Sequence, residues 1–144
     1  MLTTIDLIKK LRKFRHFGGV FPYDKLPLII NKPKSIVINL DPSYKDGSHW
    51  VGVNFDKYGR AFYFDSFGRP PQGNILTFIE RNAPRGYTYS NGKLQSNYSS
   101  NCGYFVILFI IFHNRFNAFV ELFEKCKTEK NEKKLIRLIK KFID

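Results

Sequence analysis

From Tyr104 to Phe112 the chain reads Tyr-Phe-Val-Ile-Leu-Phe-Ile-Ile-Phe, an apolar run without a single charge. Such a run cannot lie on a surface. It must be covered on every side, and this constrains the fold more than any other stretch. His113, Asn114 and Arg115 end it well short of the roughly 20 residues a bilayer requires, so the expectation is a helix buried in a protein core and no membrane span.

The polar loop Ser99-Ser100-Asn101 runs straight into this segment through Cys102 and Gly103. A thiol where a buried helix begins sits near the helix's positive end, which favours thiolate over thiol. Cys102 is therefore a candidate nucleophile, and a base, an orienting carboxylate and an oxyanion donor are to be sought elsewhere. The competing reading is a structural thiol, since free cysteine is among the most buried residue types. The polar flank argues against it.

Covering an all-apolar helix takes a real core, and 144 residues of which 43% are hydrophobic and 17% aromatic can supply one as a single domain, 1–144. Thr4 is read as the N-cap of a first helix, with Leu7, Ile8, Leu11 and Phe14 or Arg15 on one face, so that residues 1–16 form an N-terminal helix ending before Gly18-Gly19. Pro22, Pro27 and Pro33 then punctuate an irregular stretch. Residues 35–90 read as a sheet region. Ser35 to Leu40 is a strand rich in β-branched residues, Asp41 to Gly47 is turn-like, and Trp50 to Phe55 and Arg60 to Phe64 form a hairpin. Ile75, Phe78 and Ile79 mark a short helix ending near Asn82, and Tyr87-Thr88-Tyr89 is a further strand. Residues 100–144 are helical, over 103 to about 125 and 129 to 143.

If the hairpin turns near Lys57 and Tyr58, antiparallel pairing sets His49 across from Asp65 or Ser66. A slip of one residue would reverse the faces, so the inference concerns neighbourhood only. Both residues fall at the open end of the hairpin, where a carboxylate can hold an imidazole's tautomer and orientation.

The formal net charge is +12, with basic residues gathered in Lys9 to Arg15 and from Lys125 through Lys141. Such an excess favours polyanions through counterion release, nucleic acid above all. An ordinary amphipathic helix explains the second cluster equally well, because Leu135, Ile136, Leu138, Ile139, Phe142 and Ile143 recur at helical spacing between the lysines. No segment has the pattern of a secretory signal, and the two cysteines point to free thiols in a reducing compartment.

Taken in order, Gly47-Ser48-His49-Trp50-Val51, Phe64-Asp65-Ser66-Phe67-Gly68, Leu94-Gln95-Ser96 and Asn101-Cys102-Gly103-Tyr104-Phe105 resemble the motif series of the adenovirus-type cysteine endopeptidases, of the superfamily that includes the SUMO proteases. The stretch Phe17 to Pro27 is similar to the amino-terminal loop of those enzymes and of their relatives in virus-like mobile elements. The resemblance implies an α+β fold, a small mixed or antiparallel sheet packed against a central buried helix that carries Cys102 at its N-terminus, with flanking helices. It implies Cys102 as nucleophile, His49 as general base and then acid, Asp65 orienting His49, and Gln95 sharing the oxyanion with the Cys102 N–H. Gly103 would let the backbone approach the scissile carbonyl. Trp50 reads as a packing wall beside His49, Cys126 as a bystander, and His16 and His113 as surface or helix-face residues.

By the same resemblance the substrates are capsid or core precursor polyproteins cut after small residues, often glycine, in the virion and the infected cell. A monomer with no metal or organic cofactor is expected. In the adenovirus enzymes a viral peptide activates through a disulfide to a cysteine upstream of the nucleophile, and here no cysteine precedes Cys102. DNA is the family's other activator, and the basic excess leaves that route open. Two alternatives stand beside this reading: an isopeptidase of ubiquitin-like conjugates with the same chemistry, and a noncatalytic basic module that binds nucleic acid.

Overall fold

The computed structural model describes residues 1–41 and 49–143. The turn expected from Asp41 to Gly47 lies, from Pro42 on, outside the described residues.

Helix α1 spans Thr4–Leu11. Its cap is Thr3 and not Thr4, because Asp6 completes a reciprocal pair: Asp6 N donates to Thr3 Oγ1 at 3.2 Å and Thr3 N to Asp6 Oδ2 at 2.8 Å. The helix also ends earlier than the sequence suggested, at Leu11 rather than near residue 16. Beyond it Phe17–Pro22 forms strand β1, where no strand was expected. Gly18 explains both the weak signal and the pairing. A Cβ there would lie 2.9 Å from Ile36 Cγ2, so β1 approaches its neighbour too closely for a side chain, and the register shifts between Phe17 and Val20.

The remaining strands are β2 (Lys34–Asn39), β3 (Trp50–Phe55), β4 (Ala61–Phe64) and β5 (Tyr87–Tyr89), and the sheet runs β1-β2-β3-β4-β5. It is mixed. β1 and β2 pair in parallel, β2, β3 and β4 are antiparallel, and β5 joins β4 in parallel. The β3–β4 hairpin pairs Gly52 with Phe64 and Phe55 with Ala61, one residue away from the expected register. Asp56 Oδ1 sets this turn by accepting from Tyr58 N and Arg60 N, both at 2.9 Å, while Gly59 takes a φ of 86°.

Both faces of the sheet are covered, so β3 is buried at every position. One face carries Val37, Trp50 and Phe64 against the central helix α3 (Cys102–Ile111), whose residues from Phe105 to Ile110 are all buried. The opposite face presents Ile36, Ile38, Val51, Val53 and Phe55 to α2 (Gly73–Asn82), through its Ile75, Phe78 and Ile79. Each such side chain contributes roughly 1.5–3 kcal/mol of burial. α3 lies unusually close to β3 at Gly52, where a Cβ would fall 2.5 Å from Phe109 Cδ2.

The helix expected from 103 to about 125 is broken. Asn114 takes a φ of 63° and Arg115 leaves the helical region, so α3 ends at Ile111 and a short α4 (Phe116–Val120) follows. Helix α5 (Thr128–Phe142) packs its Leu135 and Ile139 on the α3 core. Among the described residues no helix is long and apolar enough to cross a membrane.

Candidate active site

The hairpin delivers two of the expected residues to one place. His49 directly precedes β3 and Asp65 directly follows β4, both beyond the terminal pair Gly52 and Phe64, so strict alternation no longer governs them. The one-residue register difference is absorbed there. His49 Nε2 and Asp65 Oδ1 lie 2.8 Å apart, with the residues 9% and 2% exposed.

Asp65 is held as an acceptor by three donors. Besides the imidazole, Phe67 N donates to Oδ1 at 2.9 Å and Arg69 Nε to Oδ2 at 3.3 Å. The Phe67 ring stacks on His49 with centroids 4.9 Å apart, which fixes the plane of the imidazole. Burial on its own pulls the His49 pKa down. The hydrogen bonds to Asp65 and Cys102, with the charges of both, outweigh burial and push it up to about 9. Both partners favour the imidazolium form of His49.

Cys102 is the first residue of α3 and is 2% exposed. It hydrogen-bonds His49. Because Nε2 is engaged by Asp65, Nδ1 is the ring nitrogen left for the thiol. The space beside Gly103 is filled by Leu2 and Trp50: a Cβ there would come within 3.0 Å of Leu2 Cδ1 and 3.4 Å of Trp50 Cδ1. The missing side chain thus seats the start of α3 against the core. Trp50 is the wall expected of it, with Nε1 donating to Leu2 O at 3.1 Å and no exposed surface.

Gln95 is 1% exposed in the loop before α3. Its Nε2 donates to Ser99 O at 2.9 Å and its Oε1 accepts from Ser66 Oγ at 2.5 Å. The hairpin brought Ser66 into view only as a possible neighbour of His49, and the two residues of α5 that grip the same loop carried no signal. Asn131 Nδ2 donates to Leu94 O at 3.4 Å. Glu132 accepts from Ser96 N at 3.4 Å and from Asn101 Nδ2 at 3.2 Å. Ser66 could have been noticed beside Asp65; no spacing signal marks Asn131 or Glu132, which meet the loop through the tertiary fold.

His16 and His113 are half-buried and partnered with each other. They stack with centroids 4.1 Å apart at the far end of α3, where His16 Nε2 bonds Ile110 O at 2.8 Å and His113 Nδ1 lies within hydrogen-bond distance of Ser35 Oγ at 2.6 Å and Asn54 Nδ2 at 3.0 Å. Cys126 is exposed. Among the described residues no cluster of three or more His, Cys, Asp or Glu side chains suits a metal ion.

No protein-family model matches the sequence, and no curated protein matches it. The backbone is similar to that of solved structures. A crystal structure of the ASFV pS273R protease superposes with a TM-score of 0.64 at 17% identity, covering 94% of this chain and 66% of that one. A selenomethionine crystal structure of the same protease gives a TM-score of 0.52 at 21% identity, over 70% of this chain and 41% of that one. The chain spans less than two thirds of that protease's length, and within that span the mixed sheet with its buried helix has the fold of a known protease.

Proposed function

We propose that this chain is a cysteine endopeptidase in which Cys102, His49, Asp65 and Gln95 carry the chemistry. The observation that supports it most is the buried relay in which Asp65 bonds one nitrogen of His49 while His49 bonds Cys102 at the head of α3. The fold shared with the ASFV pS273R protease adds independent support.

In this reading the Cys102 sulfur attacks the scissile carbonyl, forming the S–C bond and pushing its electron pair onto oxygen. Gln95 Nε2–H and the Cys102 backbone N–H receive that oxyanion. As the C–N bond breaks, imidazolium His49 gives its proton to the leaving amine, and a thioester remains. Neutral His49 then takes a proton from water, hydroxide adds to the thioester, and the acid product leaves as the sulfur is restored. Asp65 holds the imidazole throughout and keeps its own charge.

The substrates we propose are viral capsid or core precursors cut after small residues. Nucleic acid is a proposed partner, because Lys130, Lys133, Arg137, Lys140 and Lys141 are exposed on α5 in a chain of net charge +12, and among the described residues their ion pairs are Lys130–Glu124 and Lys133–Glu129.

A thiol-reactive peptide probe, applied with and without duplex DNA, tests the reading. Labelling should vanish in Cys102→Ala and survive in Cys126→Ala. Wild-type protein that stays unlabelled at Cys102 under both conditions, yet binds DNA with a steep salt slope, would overturn the peptidase in favour of a basic binding module. Cleavage of ubiquitin-like fusions but not capsid precursors would instead change the substrate.

A further inference from the structure

The geometry assigns Ser66 as a positioning residue that sets the orientation of the Gln95 side-chain amide, a role that rests on the peptidase reading for its catalytic meaning. The Ser99 carbonyl can only accept, so the end of the Gln95 amide facing it at 2.9 Å is Nε2. The opposite end, Oε1, then faces Ser66 Oγ at 2.5 Å, and the hydroxyl is the donor. Nε2 carries two hydrogens. One goes to Ser99, and the other has no protein partner among the described residues, so it is the hydrogen available to a developing oxyanion.

Ser66 reaches this position through its backbone as well. Its carbonyl accepts from Leu94 N at 2.8 Å and Gln95 N at 3.2 Å, which docks the Gln95 loop onto the end of β4. The residue is fully buried, so water does not compete for its hydroxyl. Asp65 and Ser66 thus divide two tasks between adjacent positions. Asp65 orients the base, and Ser66 orients the oxyanion donor. Without the hydroxyl, Oε1 would be buried without a donor, and the amide would gain by rotating away from the geometry that leaves an N–H for substrate.

The test combines kinetics with the side-chain amide resonances of Gln95, assigned by their loss in Gln95→Ala. In Ser66→Ala, kcat should fall about 10-fold or more while KM changes little. Ser66→Cys, which keeps the size and a weak donor, should recover part of that loss. Ser66→Ala introduced into Gln95→Ala should lower kcat no further, since the hydroxyl acts through the amide. The Gln95 amide resonances should move in Ser66→Ala while the backbone spectrum stays folded. An unmoved Gln95 amide, or an equal loss of kcat in the Gln95→Ala background, overturns the assignment. Absence of any Cys102-dependent peptidase activity would instead overturn the functional reading, and the amide resonances would still decide the role of Ser66.

Discussion

Asp65→Asn isolates charge from shape. The carboxylate accepts from three donors, His49 Nε2 and Phe67 N on Oδ1 and Arg69 Nε on Oδ2. An amide must turn its NH2 toward one side. Arg69 is 59% exposed along its side chain and can swing into water, whereas His49 and the Phe67 backbone cannot move. The variant should therefore keep the Oδ1 contacts and the fold while losing the negative charge. His49 would then feel burial without its main counterweight, and its pKa should drop from about 9 toward the ordinary 6.5, the bond to Cys102 being the counterweight that remains. At 1.36 kcal/mol per unit, that is about 3 kcal/mol of differential interaction. The folded-state pKa lies above the unfolded one, so in the wild type this stabilisation is fully present below pH 6.5 and is lost as pH rises through about 9; the variant lacks it. Titrating the His49 Hε1 resonance by NMR reads the shift directly, and turnover of a peptide substrate at neutral pH should fall about 10⁴-fold, as when the orienting aspartate of a serine triad is neutralised. A His49 midpoint within one unit of the wild-type value, or unchanged turnover, would refute the reasoning.

Two further perturbations probe the scaffold. Gly52→Ala sets a methyl 2.5 Å from Phe109 on α3, and overpacking of this kind should cost about 1–3 kcal/mol, read as a lower denaturant midpoint; an unchanged midpoint would mean that α3 can move off the sheet freely. His113 is held down to about 4, by burial first and then by the nearby His16 and Lys34, so its unfolded form takes up a proton between pH 6.5 and 4 that the folded form refuses. Stability should fall with pH across that window and should fall less in His113→Gln. Equal acid sensitivity of the two proteins would remove His113 as its source.

The sequence showed most plainly what periodicity and local chemistry determine. The apolar run, the β-branched segments and the hairpin turn each produced the element expected of them. The failures have local causes. β1 was hidden by Gly18 and Pro22, which weaken a strand signal although Gly18 is what lets the strand pair closely. The helix after Cys102 breaks at Asn114 and Arg115 through backbone angles that no apolar pattern records. The neighbourhood of His49 and Asp65 followed from the hairpin despite a one-residue register error, because both residues sit past the ladder's end. The grips of Ser66, Asn131 and Glu132 on the Gln95 loop were invisible for another reason. Their partners in the loop before α3 lie 28 or more positions away in sequence, as Ser66 and Gln95 show at a separation of 29, and tertiary contacts of polar residues leave no period to read.

Asn131 and Glu132 stand side by side in α5 and hold Leu94, Ser96 and Asn101, which flank Gln95 and Cys102. The helix with the most cationic outer face is thereby in mechanical series with the loop that presents the thiol. Charges on that outer face can be exchanged without touching either grip. A displacement of the helix as a body cannot, because it must stretch or slacken the hydrogen bonds beside Gln95 and Cys102 together. Surface and site are separable by substitution and inseparable by motion.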